Sequence, residues 1–336
     1  MPKSTEQPIK MLVEILLDAE KNLPAGYLYR LSDLNQSDLN ELQAAWPRIP
    51  VWRRIAVMED IEEIGGSDYT LSFEALASFC LGDSEPRVRE LSIQTLWDYE
   101  LPDLIPVFLS MLENDQNENA RAAAAAALST YIYMGEVGEL PPPTLKDIED
   151  KLIWVTKGKD SSLVRRRALE VLGFSSREEV KDLILQAYYS GNTDWLTSAL
   201  FAMGRSANQS WKNLVLEMLA NDNPEIMAEA IRATGELELT DAAPTLLEFL
   251  DDEDREVRMA AIWSLSQTGG EGIQDALETL YEETEDIEEI ELLEAALDNL
   301  AFTEDMELFA LMDFSEDESD EDELFDYYED DQDLLN

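Results

Sequence analysis

Histidine is missing from all 336 residues. Its absence removes the commonest general base, the commonest transition-metal ligand and the side chain that changes charge near neutral pH. Ser-His-Asp and Cys-His nucleophile systems are excluded with it, as are zinc sites built on Cys and His. Cysteine is almost missing too, since Cys80 stands alone and cannot form an internal disulfide. No apolar run reaches the roughly 18 residues that a membrane-spanning helix needs. The first ten residues lack the basic-then-apolar order of a secretory leader. A cytoplasmic protein without membrane contact is expected. There is no phosphate loop, no dinucleotide-binding glycine fingerprint and no Cys-x-x-Cys, and Gly269-Gly270-Glu271-Gly272 has no strand before it. No catalytic residue, metal ligand or cofactor is therefore expected. The acid-rich turn Asp251–Asp254 lacks the spaced ligands and glycine of a calcium loop and reads as solvated.

Basic residues give out before the chain does. Arg258 is the last, and the 78 positions after it hold 28 acidic side chains. Of the formal charge of -50, residues after Arg258 carry -28 and those up to it -22. Adaptation to a salty cytosol would spread acid evenly, so the gradient points to a dedicated acidic end. So acidic a chain repels phosphate, which argues against nucleic-acid binding. The one basic cluster, Arg165-Arg166-Arg167, reads as solvated or locally paired.

Apolar residues still make up 45% of the chain, enough for a sizeable core, and they recur with a period. Taking the apolar residue just after an inter-helix turn as position zero, it falls at Val164, Trp195, Ile226 and Val257, spaced by 31 each time. Position four holds Ala168, Ala199, Ala230 and Ala261, and position five Leu169, Leu200, Ile231 and Ile262. Position nine is glycine in three of the four, at Gly173, Gly204 and Gly235. Two earlier units start at Val88 and Ala120, and a degraded one spans about Glu271 to Phe302. Each unit reads as two helices, the second led by Asp, Ser or Asn as a cap and, at Pro86 and Pro224, by a proline suited to a first turn. A single pair cannot bury its apolar stripe, but stacked neighbours can. The spacing predicts at least twelve helices, no sheet, and one curved array from roughly Ser37 to Leu300. Residues 1–72 fit the frame poorly and read as a helical cap of irregular repeats, in which Ser37–Trp46 and Val51–Ile64 look like another pair. The array proper covers 73–302, with a loop inserted at 134–143, where Gly135, Gly138 and three prolines fall. Residues 303–336 read as an acidic, mostly disordered tail.

The segments Asp83-Ser84-Glu85-Pro86-Arg87-Val88-Arg89 and Asp251-Asp252-Glu253-Asp254-Arg255-Glu256-Val257-Arg258 resemble HEAT repeats. They are most similar to the short bacterial type found in phycobilin lyases. That resemblance implies an all-α, right-handed α-solenoid of about seven repeats. It also implies a ladder between repeats made by an Asp in the turn and an Arg six residues later. Asp83 and Arg89, Asp115 and Arg121, and Asp252 and Arg258 keep that spacing, while Trp195-Leu196 and Ile226-Met227 lack the Arg.

Position six of the second helices lies almost opposite the core stripe on a helical wheel, and there the sequence places Phe201, Arg232 and Trp263, flanked by Phe174 and Arg205. An aromatic and arginine ridge of this kind suits a partner interface, although solenoid curvature can also tuck such residues between repeats. In the tail, Phe325, Tyr327 and Tyr328 sit among carboxylates, a pattern that suits either docking on a basic, partly apolar surface or simple solubility. These features together point to a non-catalytic protein-interaction scaffold whose protein partner has a basic surface. Two alternatives stay open: phycobilin-lyase-like handling of a chromophore or client, and acidic mimicry of nucleic acid toward a basic protein.

Overall fold

A computed structural model describes residues 8–320, with side chains through Thr303. It contains eighteen α-helices and, among the described residues, no strand. The chain divides into two units, Met1–Ser206 and Ala207–Asn336. In the first, α1 (Ile9–Leu17) precedes the pairs α2 (Gln36–Ala45) with α3 (Val51–Ser67), α4 (Glu74–Cys80) with α5 (Pro86–Leu96), and α6 (Ile105–Asn114) with α7 (Glu118–Ala127). An extra helix, α8 (Ser129–Glu136), leads to the pairs α9 (Pro142–Lys157) with α10 (Ser162–Leu172) and α11 (Glu178–Tyr188) with α12 (Thr193–Arg205). The second unit pairs α13 (Lys212–Met218) with α14 (Pro224–Glu236), α15 (Ala243–Glu248) with α16 (Arg255–Thr268), and α17 (Ile273–Glu283) with α18 (Ile287–Asp320). Within each unit the second helices stack on one another, α3 on α5, α7, α10 and α12 in turn, and α14 on α16 and α18.

The sequence frame explains where the second helices start. Three residues before position zero stands a side chain that accepts from free amides of the first turn: Glu85, Asn117, Ser161, Asn192, Asn223 and Asp254. Positions zero and four then go inward, so that Val88, Ala120, Val164 and Val257 are fully buried, together with Ala168, Ala199, Ala230 and Ala261. Position nine is glycine for close approach. A Cβ at Gly173 would come within 2.7 Å of the Ala202 carbonyl oxygen, and one at Gly235 within 2.8 Å of the Ser264 Cα.

Three features differ from the sequence expectation. The pair α2–α3 inside the presumed cap is a repeat in the same frame, its origin hidden because position zero is Arg53. Val57, Met58 and Ile61 at positions four, five and eight are buried, and the Arg53 guanidinium donates to the carbonyls of Ile15 at 2.7 Å and Lys21 at 2.5 Å, around the end of α1. The insertion keeps a loop only at residues 137–141, and most of the inserted length is an extra helix just before it. The chain breaks at Leu128, runs on as α8, and packs Gly135 against Leu145 so closely that a Cβ would lie 2.6 Å from its side chain. Finally, α18 continues to Asp320, through the first part of the presumed tail, because neither glycine nor proline follows Gly272.

Candidate interaction surface

Arginine at position one of the second helices builds the ladder, reaching forward as well as back. Arg89 donates to the Asp115 carboxylate at 2.7 and 2.6 Å and to the Asp83 carbonyl at 2.8 Å. Arg121 repeats this with the Asp160 carboxylate at 2.9 and 2.6 Å and the Asp115 carbonyl at 2.8 Å. In the second unit Arg258 donates to Glu289 at 2.8 Å and to the Asp252 carbonyl at 2.9 Å. The Asp six residues upstream thus offers its carbonyl and caps its own turn, and the carboxylates of Asp83 and Asp115 also take the arginine of the preceding repeat. Asp83, Asp115 and Asp252 accept from the amides of Glu85, Asn117 and Asp254 at 2.8, 2.9 and 2.8 Å. Sequence reasoning missed the first rung, in which the buried Asp83 carboxylate takes Arg54 at 2.6 Å and the Trp46 indole N–H at 2.6 Å. Burial pushes the Asp115 carboxyl up, but Arg89 and the Asn117 amide outweigh it and hold it below the usual range. Arg121 lowers Asp160 in the same way, and Arg255 lowers Asp286 to about 2.

The basic cluster is locally committed. Arg165 donates to the Thr156 carbonyl at 3.0 Å and lies 5.1 Å over the Trp195 ring, Arg166 reaches the Asp194 carbonyl at 3.3 Å, and Arg167 pairs with Glu170.

The row at position six is half-buried rather than an open ridge. In the first unit the Arg205 guanidinium lies 5.0 Å over Phe174 and 4.7 Å over Phe201, and Phe174 meets the edge of Tyr133 at 5.8 Å. In the second, Arg232 pairs with Glu229 at 3.5 Å and Glu256 at 3.2 Å, and Trp263 is half-buried. A wheel places a side chain relative to its own helix only. It shows neither the reach of Arg205, which bends over Phe201 of its own helix and over Phe174 after α10, nor Glu256 of α16 beside Arg232. Phe325, Tyr327 and Tyr328 lie outside the described residues.

The same face opens into a cleft of about 810 Å³ nearer the start of the chain. Its floor is α7, where Ala122, Ala123 and Ala126 replace larger side chains, and position six is alanine. Glu62, Gly65 and Gly66 of α3, Glu90 and Gln94 of α5, and Leu163 and Arg167 of α10 form the walls. Two aromatic rings stand open to solvent on its rim, Trp97 at 53% and Tyr69 at 84% exposure. Trp97 sits at position nine, where three other repeats have glycine, so its ring projects from the end of α5. Its carbonyl accepts from the Thr130 hydroxyl at 3.1 Å, which fixes the backbone there. Tyr99 is anchored beside it by the Phe73 amide at 3.0 Å, and the buried Tyr131 hydroxyl, pushed up to about 12 by burial, donates to the Leu101 carbonyl at 2.9 Å. Glu90 pairs with Arg87 at 3.0 Å. The signal for this site was present in the sequence as the alanine run 122–127 and a tryptophan in a glycine position.

The family model for HEAT repeats matches residues 73–147, 197–265 and 212–300, together more than half of the chain. No curated protein matches the chain. Among solved structures, YibA of Escherichia coli is 20% identical, with 84% of this chain and 99% of that one covered and a TM-score of 0.43. The complex of CpcE and CpcF of phycocyanin lyase from Nostoc sp. PCC7120 is 18% identical over 68% of this chain and 94% of that one, with a TM-score of 0.44. Human deoxyhypusine hydroxylase in complex with glycerol is 17% identical over 79% and 96%, with a TM-score of 0.33.

Proposed function

We propose, from the premise that this chain belongs to the HEAT-repeat family, that it is a non-catalytic scaffold that binds another protein through the second-helix face of its first unit. One observation carries the reading: the open cleft over the alanines of α7, with Trp97 and Tyr69 exposed on its rim. Exposed aromatic rings are the composition of interface hot spots, and Tyr69 and Trp97 stand in the turns that follow α3 and α5. The formal charge of -50 favours a partner with a basic surface, steered in from a distance. The acidic end, with Phe325, Tyr327 and Tyr328, then acts as a second, electrostatic arm rather than as the specific site.

Affinity capture from the source cells, using the full chain and its Tyr69→Ala/Trp97→Ala variant, tests this reading. A scaffold should recover a protein with the parent chain and lose at least about fivefold of it with the variant. Cutting the chain after Phe302 should slow association at low salt without abolishing it. Equal recovery by parent and variant, or a visible pigment as the only bound species, would contradict the proposal.

A further inference from the structure

The cleft narrows the chemistry of its occupant. Among the described residues, Glu62 and Asp98 on its walls make no ion pair or side-chain hydrogen bond, whereas its one cation, Arg167, is engaged by Glu170. Both uncommitted charges are therefore negative, and they stand with the exposed faces of Trp97 and Tyr69 above an uncharged floor. Carboxylates beside open aromatic faces attract a lysine or arginine twice, by charge and by the ring quadrupole. The alanine floor offers only apolar contact. A volume of about 810 Å³ is that of a small-molecule site, so it holds a few side chains and not a whole domain face.

Two other occupants fit poorly. A second copy of the chain brings another formal charge of -50. The chain's own end brings 13 carboxylates and no cation after Met312. Each sets like charge against Glu62 and Asp98. We infer that the cleft recognises a short partner segment that lays apolar side chains on α7 and places a lysine or arginine against Trp97. This inference rests on the scaffold reading and names the recognition chemistry of that same cleft.

A fluorescein-labelled amphipathic peptide of leucine and arginine, titrated into the full chain at about 0.15 M salt, tests it, because screening then shortens diffuse attraction to about 8 Å. Saturable binding is expected, with none for the leucine–glutamate counterpart and no displacement by spermine at equal charge. Ala126→Phe, which fills the floor, should weaken binding at least tenfold. Trp97→Ala, at an exposed position that leaves folding intact, should weaken it about fivefold. Reversing Asp326, Glu329 and Asp330 to lysine should change affinity less than twofold. Failure of the peptide to bind, parent-like affinity in Trp97→Ala, displacement by spermine, or loss on reversing those three acids would each overturn the inference. Where the peptide fails but Trp97→Ala still abolishes capture of a natural partner, the scaffold reading stands and the cationic segment alone is wrong.

Discussion

Between α3 and α10 each inter-helix turn places a carboxylate where the arginine of the preceding repeat can reach it. The turns before α12 and α14 carry the uncharged Ser190 and Asn221 at that place. Asn221 still accepts the Asn223 amide at 2.9 Å, as Asp83, Asp115 and Asp252 do for their own turns. The turn therefore needs only a short polar side chain, and the ion pair is an added joint between repeats. Where the carboxylate is absent, Arg165 lies over Trp195 instead. Position six shows a matching contrast within the first unit. Ala126 leaves a cleft, whereas Phe201 fills the equivalent place beneath Arg205.

The largest effect should come from breaking the most buried joint. Arg54→Ala strands the Asp83 carboxylate, whose side chain is 1% exposed, and should cost ~3–5 kcal/mol in urea unfolding of the full chain. Arg165→Ala, at the joint without a carboxylate, should cost only about 1 kcal/mol. Near-equal losses would mean that the charged and uncharged joints are equivalent.

Glycine substitutions refine the packing side of the comparison. Gly235→Ala forces a Cβ to within 2.8 Å of Ser264 and should cost ~1–3 kcal/mol. Gly66→Ala, at the cleft edge with nothing within 4 Å, should instead gain about 0.5 kcal/mol of helix stability. Thermal melts of the two variants should move in opposite directions.

Acid separates the arginine-paired aspartates from Glu149. Asp115, Asp160 and Asp286 titrate below the usual carboxylate range, with Asp286 at about 2. On acidification the unfolded chain takes up these protons first. The stability they give is complete above about pH 4 and is lost as pH falls toward about 2. Glu149 runs the other way, since burial raises its carboxyl despite Ser175 and Arg177, so its protonation on acidification favours the fold. Glu149→Gln should therefore leave the acid limb of a stability profile in place, and Arg121→Met should flatten it. The smallest effect belongs to the cleft rim, where Trp97→Ala should change stability by less than about 0.5 kcal/mol while still impairing binding.

Much of this was legible in the chain before any coordinates. The 31-residue period, the capping residues and the position-nine glycines are local patterns, and the HEAT frame follows from them. Arg53 hid the register of the first pair because a charged residue at position zero breaks an apolar pattern. Its role depends on carbonyls at the end of α1, some 30 to 40 residues away in sequence. The choice between an open and a tucked place for Phe201 and Trp263 stayed undecided for a related reason, since exposure depends on side-chain reach and on neighbouring helices that a wheel does not contain. The cleft was missed because it is made by what α7 lacks, and a run of alanines reads as helix propensity before it reads as space.

Hydrogen exchange on the full chain, with and without its captured partner or the leucine–arginine peptide, tests the central claim most directly. The account predicts slowed exchange concentrated in residues 93–99 and 119–127, the end of α5 and the floor helix α7. Protection confined to residues 224–268, with residues 93–127 unchanged, would contradict it.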